Sequence, residues 1–412
     1  MSATDEAHSQ PNDVEREATI KEEYQLWRKN CRYMYEFVSE TALTWPSITF
    51  QWLPDHQVVE KDGLINSRIL LGTHTSGEDT NYLKVSSTQL PLSAKDSSTS
   101  ENPPKVSTKI KITEKLRNNF EINRARYLPQ SPNIVASING EGEIDLYHLS
   151  EGKKEATAHW KSHEANGYGL AWNNYKKGYL LTGSDDRSVM VTDVERANDG
   201  SGIVMHYKDH GDIVNDAKWH HFDENIFASA SDDEYLRIFD LRTQSAVSSY
   251  KNNGTDGINC VSFSPFSSNL VATGNTNSNI CLFDLRKMSS KAEHSNGLLH
   301  TMMGHSDSIT SLEFSPHKDG IIASGSQDRR VIIWDLHKIG EEQVQEDAED
   351  GCPELFMMHA GHTGAVNDLG WCPYKEWVLG SVADDNIVHL WEVSKSIINS
   401  DEPLNIPDKL LE

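Results

Sequence analysis

The sequence predicts an all-β protein, a seven-bladed β-propeller with an N-terminal α-helix docked on its side. Three observations carry that prediction. A fixed spacing of histidine, aromatic and aspartate residues repeats in register along most of the chain. Each copy reads as short β-runs separated by turn residues. One segment near the N-terminus departs from this pattern and follows a helical period instead.

The repeat comes first. His163, His210, His305 and His362 each lie nine residues before Trp172, Trp219, Phe314 or Trp371, and 29 before Thr192, Phe239, Trp334 or Trp391. Six residues before that last position stand Asp186, Asp233, Asp328 and Asp385. Two further copies keep the spacing with substitutions: Asn118, Tyr127, Glu141 and Tyr147, then Gly254, Phe263, Asn277 and Phe283. Self-similarity at roughly 40–50 residues is the mark of stacked four-stranded blades. In one copy the runs 309–314, 321–324 and 331–336 are separated by Gly325-Ser326-Gln327-Asp328 and similar turns. The runs 47–52, 68–72 and 82–90, with 109–113 as a fourth, supply a divergent first blade and bring the ring to seven. Closing radially removes exposed sheet edges. How the termini share the closing blade is not fixed by the pattern.

The appended segments follow. Residues 1–19 form a disordered acidic tail and 93–104 a flexible loop, on their polar, Ser- and Pro-rich composition. Between them Ile20, Tyr24, Trp27, Cys31, Met34 and Val38 recur every three or four residues, which predicts a helix over 20–41. Leu26, Tyr33 and Phe37 broaden its apolar surface, so either a loop of this chain or a partner covers the extra width. The propeller then spans 42–397, with a tail at 398–412. An insertion at 340–358 holds an acidic run, 341–350, with six carboxylates and no basic residue. Leu355-Phe356-Met357-Met358 follow directly. Ring closure places this insertion near the helix. An apolar floor beside an acidic lip suits a basic amphipathic helix, with the apolar anchors supplying most of the affinity.

Composition narrows the function classes. The chain carries 62 acidic against 38 basic residues, a net charge of −24. That field attracts basic partners and repels phosphate backbones, which argues against direct nucleic-acid binding. Five cysteines without Cys-x-x-Cys spacing give neither a disulfide framework nor a zinc site. No apolar run is long enough to span a bilayer and the N-terminus is no signal peptide, so no membrane role and a place in cytoplasm and nucleus are expected. The recurring His and Asp invite an acid–base or metal reading. A catalytic set is needed once, however, and this pair recurs blade after blade. No phosphate loop, nucleophile elbow or His-Glu-x-x-His stands in the sequence. No catalytic residue, metal or cofactor is expected, and His220-His221 read as solvent-facing turn residues.

Gly304-His305 and Gly361-His362, followed at fixed distance by Trp334-Asp335 and Trp391-Glu392, resemble the WD-repeat family over about 118–393. Within it, Glu22-Glu23-Tyr24, Trp27, Leu43-Thr44-Trp45-Pro46-Ser47, Gln51-Trp52-Leu53-Pro54 and Asn123-Arg124-Ala125-Arg126-Tyr127 resemble the histone-binding proteins named for retinoblastoma association and chromatin assembly. Val38-Ser39-Glu40-Thr41, Thr75-Ser76-Gly77-Glu78 and His359-Ala360-Gly361-His362 look most like the fungal branch that partners the type B histone acetyltransferase.

That resemblance implies a noncatalytic subunit that presents newly made histone H4 to a catalytic partner. The alternative is the small subunit of chromatin assembly factor, or of a deacetylase or Polycomb-type complex. Carried over by motif, the first helix of histone H4 would be held by Tyr33, Met34 and Phe37 on the helix and Asp347, Asp350 and Leu355 on the loop. The histone H3 tail would bind at the channel mouth near Glu121, Asn123, Asn166, Tyr168 and Asn215. Cys352-Pro353 stands where the family commonly has paired prolines. Asn166 and Asn215 stand where relatives tend to carry glutamate, which makes the mouth polar rather than strongly acidic.

Overall fold

The computed structural model describes residues 13–92, 109–149, 152–197, 202–252, 256–288, 297–345 and 351–399, with side chains from residue 17 onward. The loop expected at 93–104 and most of the two tails lie outside these residues, as do Asp347 and Asp350. Among the described residues no helix is long and apolar enough to cross a membrane.

Seven four-stranded sheets form the ring. The first blade is β2 (Phe50–Val59), β3 (Leu64–Leu71), β4 (Asn81–Pro91) and β5 (Lys111–Asn118). Blades two to six span 122–161, 167–207, 214–251, 258–302 and 309–359. The seventh takes three strands from 366–393 and its outer strand, β1 (Tyr35–Ala42), from the N-terminus. The first strand of each later blade, like β2, packs beside that of the next, and Val366–Trp371 returns to β2. Hydrophobic clusters fill the spaces between neighbouring sheets, each centred on strand aromatics such as Trp52, Tyr147, Phe239, Phe283, Trp334 and Trp391.

The helix expected over 20–41 is displaced. It begins earlier and stops sooner: α1 runs Asp13–Met34, and the chain then turns directly into β1. Residues 35–41 therefore belong to the propeller. Val38 lies four residues after Met34, so it continues the helical stripe by spacing alone. The strand wins because the edge of Ile387–Val393 offers a full ladder, with Tyr35 opposite Val393 and Ala42 opposite Ile387. An unpaired edge is a liability that this pairing removes, and Tyr, Phe, Val and Thr favour it. The 340–358 insertion is likewise not all loop. Leu355–His359 is the outer strand of the sixth blade, paired through Trp334–Leu355 and Val331–His359.

The recurring histidines hold the blades together. His163, His210, His305 and His362 place Nδ1 3.1, 3.0, 2.8 and 3.2 Å from Asp186, Asp233, Asp328 and Asp385. Their Nε2 atoms reach Thr182, Ser229, Ser324 and Ser381 at 2.6–2.8 Å. In the first variant copy Asn118 substitutes, donating to Ser137, Asp145 and Tyr147. Gly361 has a separate task. A Cβ there would stand 2.6 Å from the Trp27 ring, so glycine makes room for the helix.

His220 is not solvent-facing. It is buried, its Nδ1 accepts from the backbone of Phe222 and Asp223, and its Nε2 meets the Ser268 carbonyl.

Candidate functional site

Two surfaces emerge, one where α1 crosses blades six and seven and one at the mouth of the channel. Trp27 anchors the first. It is 5% exposed, its Nε1 donates to the Tyr35 hydroxyl at 2.9 Å, and its ring packs edge-on against His359 at 5.4 Å. Tyr35 continues to His359 Nδ1 at 2.8 Å, and His359 Nε2 to His389 Nδ1 at 3.0 Å. Burial, reinforced by the neighbouring imidazoles, drives the pKa of His359 and His389 well below the ordinary histidine value. Further along α1, Glu23 accepts from Arg329 and Arg330 at 2.8 Å each. Burial works against the Glu23 charge, but the two guanidinium groups hold its pKa down. Tyr24 donates to Glu40 at 2.9 Å. Helix, β1 and sixth-blade turn are thus fastened by polar contacts as well as by packing.

The apolar wall beside this seam is made by Tyr24, Cys31 and Met34 together with Phe356, Ala360, Trp377, Ile397 and Ile398, all partly buried on one core cluster. The structure brings Met34 and Phe356 into this cluster. Leu355 sits in the neighbouring one with Cys352, Ile339 and Met358. Tyr33 is half-buried, with the Arg32 guanidinium 4.5 Å from its ring centre. Phe37 is not on the helix at all. It lies on β1, in the cluster with Phe50 and Trp52, and Lys375 stands 5.5 Å from its ring centre. Phe356 was passed over in favour of its neighbour Leu355, although the run 355–358 marked both. Its ring centre lies 5.2 Å from that of Trp377 and 5.8 Å from the Lys338 ammonium.

The segment after the acidic run is pinned without a second proline. The Cys352 thiol donates to the Met303 carbonyl at 3.4 Å, and Leu355 N–H closes a turn on the Cys352 carbonyl at 3.0 Å. Buried Glu354 meets His300 Nε2 at 2.7 Å. Residues 341–345, which lead into the acidic run, are exposed.

At the channel mouth the asparagines lace the blades together. Asn123 Nδ2 donates to the Gly167 carbonyl at 2.9 Å, Asn215 to Ile258 at 3.1 Å and Asn259 to Ile309 at 2.8 Å, each on the next blade or strand. Their role goes beyond capping strand starts. The second donor of Asn215 reaches Asp232 at 2.6 Å. Glu121 binds His74 through one oxygen at 2.9 Å, while the other is buried without a partner. Asp185 also has a buried oxygen without a partner. Burial, and then Asp232, Asp186 and Asp212, raise its pKa, while an Asn166 hydrogen bond opposes them. Tyr168 is half-buried beside it, its pKa raised by burial and by Asp185.

Asp185 and Asp232 restore part of the negative charge that Asn166 and Asn215 do not supply. The sequence held the signal in its paired aspartates, Asp185-Asp186 and Asp232-Asp233. The second of each pair ties the blade through histidine; the first meets the channel-mouth asparagine.

Comparison with known proteins agrees with this geometry. A chain from Debaryomyces hansenii, "Histone acetyltransferase type B subunit 2", is 65% identical over 404 residues, 97% of each chain. One of the same name from Candida albicans is 58% identical over 93% of this chain and 95% of its own. The Schizosaccharomyces pombe protein of that name is 40% identical over 94% of each. The chain belongs to the histone acetyltransferase type B subunit 2 family. The family model for "Histone-binding protein RBBP4" and its counterpart in the CAF1 complex matches 22–92, which takes in Trp27, Tyr35, the seam and the first blade. WD-domain repeats match 202–240, 244–284, 296–335 and 354–392. These four are the later blades, three of which keep the His–Asp tie. Membership of this family makes the protein a histone-binding subunit with a WD-repeat propeller.

Proposed function

We propose that the protein is the noncatalytic subunit of a type B histone acetyltransferase complex, holding newly made histone H4 so that its flexible tail reaches the catalytic partner. The observation that carries this is the apolar wall of Met34 and Phe356 on the α1 seam, next to the acidic run 341–350. A basic amphipathic helix, the first helix of histone H4, would lay its apolar face on that wall. Asp347 and Asp350 would meet its basic residues, with Tyr33 and Leu355 at the margins and Phe37 behind on β1. The histone H3 tail would enter the channel mouth at Glu121, Asn123, Asn166, Tyr168 and Asn215. Tethering raises the effective concentration of the H4 tail at the active site, so the catalytic partner gains in KM more than in turnover.

The absence of catalysis is supported by the role of the recurring His–Asp pairs, whose partners within each blade leave them no free reacting atom. The net charge of −24 favours histones over DNA or RNA. The protein acts in cytoplasm and nucleus, where histones are made and deposited, without a membrane or cofactor.

A second reading has its own support. The family matched over 22–92 also takes in a member of the CAF1 complex, which favours a place in the deposition machinery with the same histone grip. Affinity purification of the tagged chain from its own cells at moderate salt decides between them. Recovery of an acetyltransferase with histones H3 and H4 supports the first. Recovery of large chromatin-assembly subunits without acetyltransferase supports the second. Recovery of neither histones nor either enzyme class overturns both.

A further inference from the structure

The middle of the channel holds more positive charge than its carboxylates balance. The inner strands of blades two and four point Arg124, Arg126, Asp216 and Lys218 into a central cavity of about 340 Å³. At the equivalent positions of blade three stand Gly169 and Ala171, which send no side chain beyond a methyl into it. The result is a gap flanked by Arg124 on one side and Lys218 on the other.

The carboxylates nearby are committed elsewhere. Asp368 accepts from the Phe50 backbone at 2.8 Å and from Arg126 at 3.0 Å, and its other oxygen takes Leu369 N–H and the Ser311 hydroxyl. Asp216 accepts from the backbone of Ala217 at 3.0 Å and Val261 at 3.2 Å. Both aspartates therefore satisfy N–H groups on inner strand edges, as buried backbone donors require. Arg126 is used up as well, donating to Thr49, Phe50 and Ala125 besides Asp368.

Arg124 and Lys218 are not used up. Arg124 comes no closer than 3.5 Å to Asp216, and its Nε is buried with no hydrogen-bond partner. The Lys218 ammonium lies 3.7 Å from the same aspartate, beyond hydrogen-bond length. Burial lowers the Lys218 pKa, only partly offset by Asp216. Burial also pushes Glu313, the remaining carboxyl of the channel, up to about 7, so it contributes a full negative charge only above neutrality.

We propose that this gap is a binding site for a small oxyanion of the phosphate class, held between Arg124 and Lys218 in the space that Gly169 and Ala171 leave open. A guanidinium presents a planar fork of donors that fits two phosphate oxygens, and an ammonium adds a point charge opposite. In a narrow, poorly screened channel such charges attract an anion more strongly than they do at an open surface. The site is separate from both histone surfaces: the α1 seam lies on the outside of the ring and the asparagine ring at the mouth.

The test is calorimetric titration of the full-length protein with inorganic phosphate, with ionic strength held constant by sodium chloride. One saturable site is expected. Lys218→Met, which removes the charge, and Ala171→Leu, which fills the gap and leaves every charge in place, should each weaken it more than tenfold. Binding of a histone H4 helix peptide by the same variants, unchanged from wild type, verifies that they are folded. Absence of saturable phosphate binding, or equal affinity in a folded variant of either kind, overturns the proposal.

Discussion

The Tyr35 hydroxyl donates to Nδ1 of His359 across 2.8 Å, joining strands 324 positions apart in the chain. The direction follows from its other neighbour. Trp27 Nε1 can only donate, so the Tyr35 oxygen accepts from it and turns its own hydrogen toward His359. His359 must then carry its proton on Nε2 and give it to Nδ1 of His389. Docking of α1 and closure of the ring are one chain of hydrogen bonds.

Tyr35→Phe breaks that chain in the middle. It leaves the Trp27 N–H and His359 Nδ1 buried without partners, and each such group costs about 1–3 kcal/mol. The expected loss is about 2 kcal/mol or more, read as a lower urea midpoint. A stability equal to wild type would show that the seam is held by packing alone.

Acid should loosen the same seam. Burial depresses the pKa of His359 and His389, so in the folded state they stay neutral where the unfolded chain takes up protons. Their contribution is complete above the ordinary histidine value of 6.5 and is lost as pH falls below it. Unfolding free energy measured from about pH 8 to about pH 5 should fall through this window in wild type. In His389→Gln, where one of the two groups is gone, the fall should be shallower.

The blade ties respond at lower pH. Burial opposes the Asp385 charge, yet the His362 hydrogen bond and charge hold its pKa down to about 2. A depressed carboxylate stabilises above its unfolded value, near 3.8, and loses that contribution as pH drops toward 2. Asp385→Asn should cost about 2–4 kcal/mol at neutral pH, because it strands a buried histidine. The variant should also show a weaker pH dependence between about 4 and 2, measured by thermal unfolding.

The ring was legible in the sequence because its ties recur: a His, an Asp and a strand Ser or Thr at fixed spacing identify each blade however far the rest has drifted. The closing strand was not. Tyr35–Ala42 follows helical spacing as far as Val38, and only the distant edge of Ile387–Val393 makes it a strand. Phe37 was misplaced with it. Phe356 was hidden by a different ambiguity, since in a run of four apolar residues the face each one presents depends on a bulge between Trp334 and Ile333 in the pairing. The acidic character of the mouth was obscured because its carboxylates follow the second strand of a blade while the asparagines come from the first.

The mouth gives a charge prediction of its own. If Asp185 supplies negative charge that Asn166 lacks, Asp185→Asn should weaken binding of a histone H3 tail peptide about five- to tenfold, the usual range for losing one charged partner. The H4 helix should bind as before. Fluorescence anisotropy with both peptides distinguishes the outcomes, and equal weakening of the two would point to a general loss of folding.

The most direct measurement is calorimetric titration of a peptide spanning the first helix of histone H4 into wild type and into Phe356→Ala, with thermal unfolding as the control for folding. Saturable binding by wild type, weakened at least tenfold in a folded Phe356→Ala protein, is the result this account predicts. Equal affinity in the two proteins would contradict it and place the histone helix elsewhere on the propeller.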